Sequence, residues 1–163
     1  MMSTAQGLQT VADLGSAERW LAVLVTRRPN GEPGVALVNA GILPHPVTGE
    51  RVLGFVARGM TAKLTNLRTT PRATLVFRSG WEWIAVSGAV ELAGPDDELP
   101  GLPRGDLPRL LRDIYVAAGG VHPDMDEYDR VMATERRTAC LLSPTHFTTN
   151  PPGTEHKERE EAE

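Results

Sequence analysis

Lysine is nearly missing from this chain: among 17 basic residues, Lys63 is the only lysine before the last few positions, and arginine carries the positive charge elsewhere. Cysteine is scarcer still. Cys140 stands alone, which rules out an internal disulfide, and no set of cysteines and histidines has metal-ligand spacing, so neither a zinc centre nor a thiol redox pair is supported. No apolar run approaches the roughly eighteen residues a membrane span needs, and the opening MMSTAQGLQTVADLG lacks the basic-then-apolar order of a secretory signal. Those two absences point to a cytoplasmic protein with no membrane partner. Also missing are a G-x-S-x-G elbow, a P-loop, a G-x-G-x-x-G turn and any close pair of carboxylates in an apolar setting. Catalysis by a nucleophile or a triad therefore has no candidate residues.

What is present suits one domain. A chain of 163 residues with 40% hydrophobic content can bury a single core, and we place that domain at 1–150. The remaining 151–163 end in TEHKEREEAE, five glutamates against one lysine and one arginine, which reads as a disordered, solvated acidic tail. Within the domain, WLAVLVT (20–26) and GVALVNAGI (34–42) are β-branched and apolar, and they flank RRPNGEP, whose Asn30-Gly31 pair predicts a tight hairpin turn. RVLGFVA (51–57), RATLVFRS (72–79), EWIAVSGAVEL (82–92) and TACLLS (138–143) supply further strands. Several are apolar on both faces, which fits a small closed or partly closed barrel better than an open sheet with one wet side. The fold expected is mainly β (α+β): a split β-barrel of about six antiparallel strands, with a short helix after strand three and two helices before the last strand. The two late helices are carried by Leu107, Leu110, Leu111 and Ile114 at helical spacing, stopped by Gly119 and Gly120, and by Asp124 followed three residues later by Glu127 in the manner of a capping box.

Charge is distributed unevenly. Between Arg51 and Trp81 lie Arg51, Arg58, Lys63, Arg68, Arg72 and Arg78 with no Asp or Glu among them. Met60, Leu64 and Leu67 fall at i, i+4 and i+7, predicting a short helix over 60–69 that ends before Pro71 and has Lys63 in its first turn. Cations there oppose the helix dipole by a few tenths of a kcal/mol each, and an anion would reverse the sign. Free amides after Gly59, the Thr61 hydroxyl, Arg58 and Lys63 would together make a phosphate site. The plainer alternative is a solvated basic face answering acids elsewhere in the fold.

The segment from strand three through RGMTAK, LTNLRTTPRATLVF and WIAVSGAVEL resembles the split β-barrel flavin and deazaflavin oxidoreductases related to pyridoxamine 5'-phosphate oxidase, and the resemblance runs from the LAVLVT hairpin to CLLSPTHFTTNPP. It implies that Arg58, Thr61 and Lys63 hold a cofactor phosphate, that Gly59 and Met60 let the backbone approach the ring system, and that Asn39 lies beside the same groove. Arginines that the oxidase carries on the strand after its hairpin are missing from EWIAVSGAV. The NLR…P helix end looks more like the branch using coenzyme F420, whose oligoglutamate tail suits a basic surface formed by Arg68, Arg72 and Arg78. An arginine-, alanine- and glycine-rich composition of actinobacterial type is in keeping with that branch. The function implied is hydride transfer between F420 and a small organic acceptor. The alternatives are an FMN-binding flavoprotein like the oxidase, or a non-catalytic cofactor or tetrapyrrole binder of the same fold.

Trp81 and Trp83 would wall a ring or substrate pocket, or else serve core or dimer packing, and Arg78 would meet an acidic group. The histidines read as structural or solvated. Apolar strands on both faces with few covering helices imply a homodimer. A nucleic-acid binder is disfavoured by the net charge of -4 and the shortage of exposed aromatics.

Overall fold

The computed structural model describes residues 2–150; the acidic tail at 151–163 lies outside the described residues. A helix missing from the sequence reading comes first, α1 (Thr4–Ala17), opened by Ser3 and Gln6 in a reciprocal capping box and burying Leu8, Val11 and Leu14. Then follow β1 (Leu21–Arg27), β2 (Pro33–Asn39), β3 (Gly41–Pro44), β4 (Arg51–Ala57), α2 (Ala62–Thr69), β5 (Arg72–Ser79), β6 (Glu82–Ala93), α3 (Leu107–Ala117), α4 (Met125–Thr134) and β7 (Thr138–Thr149). The described residues form seven strands rather than six, because the stretch at 34–42 breaks at Ala40 into two. Among the described residues no helix is long and apolar enough to cross a membrane.

All strand pairs are antiparallel in one sheet of order β2-β1-β5-β6-β7-β4-β3. Its first and last members, β2 and β3, are consecutive in the chain with only Ala40 between them. The sheet therefore has to roll until its two ends meet, which makes a barrel split along one seam. The crossing is held by Ala40 N–H donating to the Trp20 carbonyl (2.9 Å) and by Asn39 Nδ2 donating to the Arg19 carbonyl (2.9 Å).

Alternation along each strand fills the interior. Ala22 and Leu24, Leu53 and Phe55, Leu75 and Phe77, Ile84 and Val86, and Cys140 and Leu142 point inward, where they meet α1 and the α2 residues Leu64 and Leu67. The opposite faces of β4 and β7, through Val52, Ala139 and Leu141, pack on Leu110, Leu111 and Ile114 of α3 and on Tyr128 of α4. Strands apolar on both faces are thus explained by two cores, one inside the barrel and one beneath the late helices.

Two turns refine the expectations. In the first hairpin the tight turn is Arg28 to Gly31, closed by Gly31 N–H to the Arg28 carbonyl (2.8 Å), so Gly31 at φ 88 is the left-handed residue after the turn rather than its centre. In the second, Gly80 at φ 60 opens the two-residue turn that joins β5 to β6. Asp124 does cap α4, accepting from the Asp126 and Glu127 amides.

The short helix is pinned by one buried polar contact. Asn66 Nδ2 donates to Thr26 Oγ1 (3.1 Å) across 40 positions of sequence, in a space left by Gly34, where a Cβ would stand 2.8 Å from the Asn66 amide. Replacing Asn66 with Ala removes that bond and opens a small gap, and should lower stability by about 1–2 kcal/mol in urea unfolding. An unchanged midpoint would mean that α2 is held by Leu64 and Leu67 alone.

Candidate functional site

The turn between β4 and α2, with the helix start, holds Arg58, Gly59, Met60, Thr61 and Lys63, most of the cofactor residues expected from sequence. Met60 is not in the helix: it sits left-handed at φ 62 with 96% of its surface exposed, so the apolar i, i+4, i+7 series loses its first member. Thr61 is the N-cap, yet its hydroxyl donates back to the Arg58 carbonyl (2.9 Å) and makes no cap to the helix. Gly59 is required by packing against the α4–β7 turn, since a Cβ there would meet Arg136 Cβ at 2.8 Å. The first turn of α2 carries no acidic residue. Its leading amides have neither a side-chain cap nor a carboxylate to answer them.

Beside that helix start is a cavity of 360 Å³ whose walls include Leu37 and Asn39 from β2, Val56 from β4, Arg58, Lys63, Ile114 and Tyr115 from α3, Tyr128 and Met132 from α4, and Arg137. Among the described residues no Asp or Glu lines it. Arg137 is matched by Glu135 (2.7 Å), whereas Arg58 and Lys63 make no ion pair among the described residues. The structure therefore brings Asn39, Arg58 and Lys63 into one cavity, with Gly59, Met60 and Thr61 in the turn behind them. Two unbalanced cations, an uncapped helix start and a mostly apolar remainder can hold a phosphate at one end of a larger, planar molecule.

Arg78, Trp81 and Trp83 do not line this cavity. They sit on the β5–β6 turn, at the far end of the 12-residue β6 from the Ala93–Ala139 pair next to which β4 ends. Trp81 is 64% exposed, Trp83 Nε1 donates to Asn150 Oδ1 (2.6 Å), and Arg78 donates to the Gly80 carbonyl (2.8 Å). Arg68, expected on a free basic surface, makes a two-pronged pair with Asp97 at 2.6 to 3.2 Å. Asp97 holds the Arg68 guanidinium above its usual pKa. The basic run is acid-free along the chain but not in space.

Residues missed from sequence are Tyr115, Tyr128, Met132 and Arg137, which the late helices and the start of β7 fold over the cavity. Burial pushes the Tyr128 phenol up to about 12, and its hydroxyl donates to the Leu111 carbonyl (3.2 Å), so it is a proton-bearing wall and no base. His45 is also committed: Nδ1 accepts from the Val47 and Thr48 amides and Nε2 contacts Glu91 Oε1 (3.0 Å). It belongs to a larger cavity between β3 and α3, whose walls mix Asp106 and Asp113 with Arg109 and so carry no net call for an anion.

The same barrel occurs in solved structures. A pyridoxamine 5'-phosphate oxidase-related, FMN-binding protein from Nostoc punctiforme is 18% identical with a TM-score of 0.58 over 90% of this chain and 83% of its own. An F420 reductase is 19% identical with a TM-score of 0.54, covering 80% of this chain and 90% of its own. A heme-binding protein from Mycobacterium smegmatis is 18% identical with a TM-score of 0.60 over 92% of this chain, which spans about half, 55%, of that protein. No family model matches the sequence. At these identities the likeness shows the fold alone, a split β-barrel of the kind seen in these FMN-binding, F420 reductase and heme-binding proteins.

Thiol chemistry is absent from the site. Cys140 is fully buried inside the barrel, and burial pushes its thiol far above the ordinary range. A thiol reagent at neutral pH should leave the folded protein unlabelled and react with one equivalent after denaturation. Rapid labelling of the native protein would show that the barrel opens at β7.

Proposed function

We propose that the protein binds coenzyme F420 through the cavity at the start of α2 and acts as an oxidoreductase, passing a hydride between that cofactor and a small organic acceptor. FMN is the alternative occupant. The observation that carries the reading is the pair of cations, Arg58 and Lys63, left without carboxylate partners beside uncapped helix amides in a cavity that has no acid in its wall. That arrangement costs stability until an oxyanion arrives, so it fits a phosphate ester better than an empty surface. When bound, a reduced deazaflavin or flavin supplies the hydride. The chain itself binds the phosphate at Arg58 and Lys63, presents the Asn39 amide edge and the Tyr115 ring to the body of the ligand, and excludes water with Val56, Ile114 and Met132. Tyr128 stays protonated and non-basic.

The surface next to the cavity supports a homodimer. Val35 and Leu37 on β2 are 68% and 65% exposed, and Leu21 and Val23 on β1 are 38% and 39% exposed. Val23 pairs with Leu37, and Val25 with Val35, so these side chains form one apolar band on the outside of the barrel. Leu37 also lines the cavity. A second copy covering the band would complete the cavity wall, and Arg78, Trp81 and Trp83 would then reach such a site only from the partner.

Two outcomes are expected. Lys63→Ala should weaken FMN or F420 binding by about 1.5–3 kcal/mol, the scale of a charge-assisted hydrogen bond, with the thermal midpoint of the cofactor-free protein unchanged or slightly raised. Equal affinities for variant and wild type in a fluorescence titration would remove the phosphate assignment, and tighter binding of FMN than of F420 would move the cofactor to the flavin. Light scattering should give a dimer for the wild type and a monomer for Leu37→Asp, which places a charge in the apolar band. A wild-type monomer at micromolar concentration would end the dimer proposal.

A further inference from the structure

Residues 151–163 carry five glutamates, Glu155, Glu158, Glu160, Glu161 and Glu163, against Lys157 and Arg159. The cavity at the start of α2 has the opposite imbalance. Among the described residues Arg58 and Lys63 make no ion pair, the first turn of α2 has no acid, and no carboxylate lines the wall. The neighbouring cavities each offer one cation, Arg109, Arg104, Arg28 or Arg19. Two cations and free helix amides facing one concave, partly apolar space attract a carboxylate more strongly than a single exposed arginine does. The point at which the acidic segment leaves the fold is fixed as well. Asn150 Nδ2 donates to the Trp81 carbonyl (3.1 Å) and its Oδ1 accepts from Trp83 Nε1 (2.6 Å), so the chain passes position 150 at the β5–β6 turn. From there β7 runs 12 residues back to Thr138, which pairs with Ala57 just before Arg58, a path of about 40 Å. Glu158 and Glu161 follow Asn150 by eight and eleven residues, and chains of those lengths span at most about 28 and 39 Å. On its own subunit the acidic cluster falls short of the cavity unless drawn straight. In the dimer proposed above, in which the partner's Trp81 and Trp83 reach the cavity, the partner's Asn150 comes with them.

We propose that the glutamates of residues 151–163 dock in the cation-lined cavity of a second copy of the chain, setting carboxylates where a phosphate would bind, and that an incoming anionic ligand must displace them. Tethering keeps those carboxylates at an effective concentration on the order of millimolar, so a contact too weak to form between separate molecules is populated. A phosphate ester offers more charge and more acceptor oxygens to the same cations, and it therefore displaces the segment rather than being shut out. Salt screens the contact. Calling the displaced ligand a cofactor rests on the reading above; the docking itself does not.

The scarcity of lysine makes the contact addressable. In the full-length Lys157→Arg protein, Lys63 is the only lysine of the chain. A water-soluble carbodiimide, which joins a carboxyl to an amine with loss of water, should then link Lys63 to Glu158, Glu160, Glu161 or Glu163 and give a covalent dimer on a denaturing gel, the linked peptides being identified by mass. The dimer should be lost at high salt and in the Lys63→Arg/Lys157→Arg protein. No link at Lys63, links only to carboxyls of residues 1–150, or links confined to the monomer band would overturn the proposal. A second measurement reads the competition. Changing all five glutamates of the segment to glutamine should tighten FMN binding about threefold to tenfold at low salt, and the gain should vanish in the Lys63→Ala background, where the effect of a simple change in net charge would persist. An unchanged FMN affinity, or a gain that survives Lys63→Ala, would overturn the proposal as well. If FMN binds none of these proteins, the cofactor reading falls and the cross-link alone decides the docking.

Discussion

The single residue between β2 and β3 governs the molecule. Because Ala40 joins the two strands at opposite ends of the sheet order, the sheet cannot lie open, and its roll decides where every other element goes. The crossing needs fixed carbonyls to dock on, and Arg19 and Trp20 supply them from a left-handed turn after α1. The cation-lined cavity opens at this crossing, with Asn39 in its wall. The place where the barrel is split is thus also where its interior chemistry reaches the surface.

A second consequence concerns charge. Helix α2 has an apolar side, Leu64 and Leu67, fully buried in the barrel, and a buried amide tied to β1. Those contacts fix the direction of its first turn and so place Lys63 beside Arg58 at the cavity. The late helices meanwhile bring Tyr115, Tyr128 and Met132, and no acid, to the same cavity. Packing holds an unfavourable charge arrangement in place, and a binding site for an anion is the economical physical meaning of such an arrangement. The apolar band on β1 and β2 is a second unbalanced surface, and it borders the first through Leu37.

Much of this was legible along the chain because it depends on near neighbours. Alternating apolar residues gave the strands at 20–26, 51–57 and 72–79, and leucine spacing gave α3 and α2 with Lys63 in its first turn. Errors arose where a local signal was shared by two structures. The run 34–42 is apolar throughout and hides the break at Ala40, which a strand in a curling sheet needs and a propensity cannot display. Met60 has helical spacing to Leu64, but the chain must turn sharply after Arg58 and uses it left-handed. The opening helix carries a complete Ser3–Gln6 capping box whose apolar partners Leu8, Val11 and Leu14 are too sparse to stand out before the barrel is there to receive them.

The sequence by itself therefore determined the β-rich class and the basic, acid-free turn around Arg58 and Lys63, since each is a property of residue type or short spacing. Tertiary structure alone decided which charges remain free. Arg68 meets Asp97 from 29 positions away, so one of the six cations in a run that looks uniform in one dimension is neutralised in three. The same folding sends Trp81 and Trp83 to the far end of β6 and brings Tyr115 and Tyr128 to the cation-lined cavity instead. Side-chain electrostatics acts over a few ångströms of space, and the barrel's closure, which no local segment encodes, sets which residues lie within that reach.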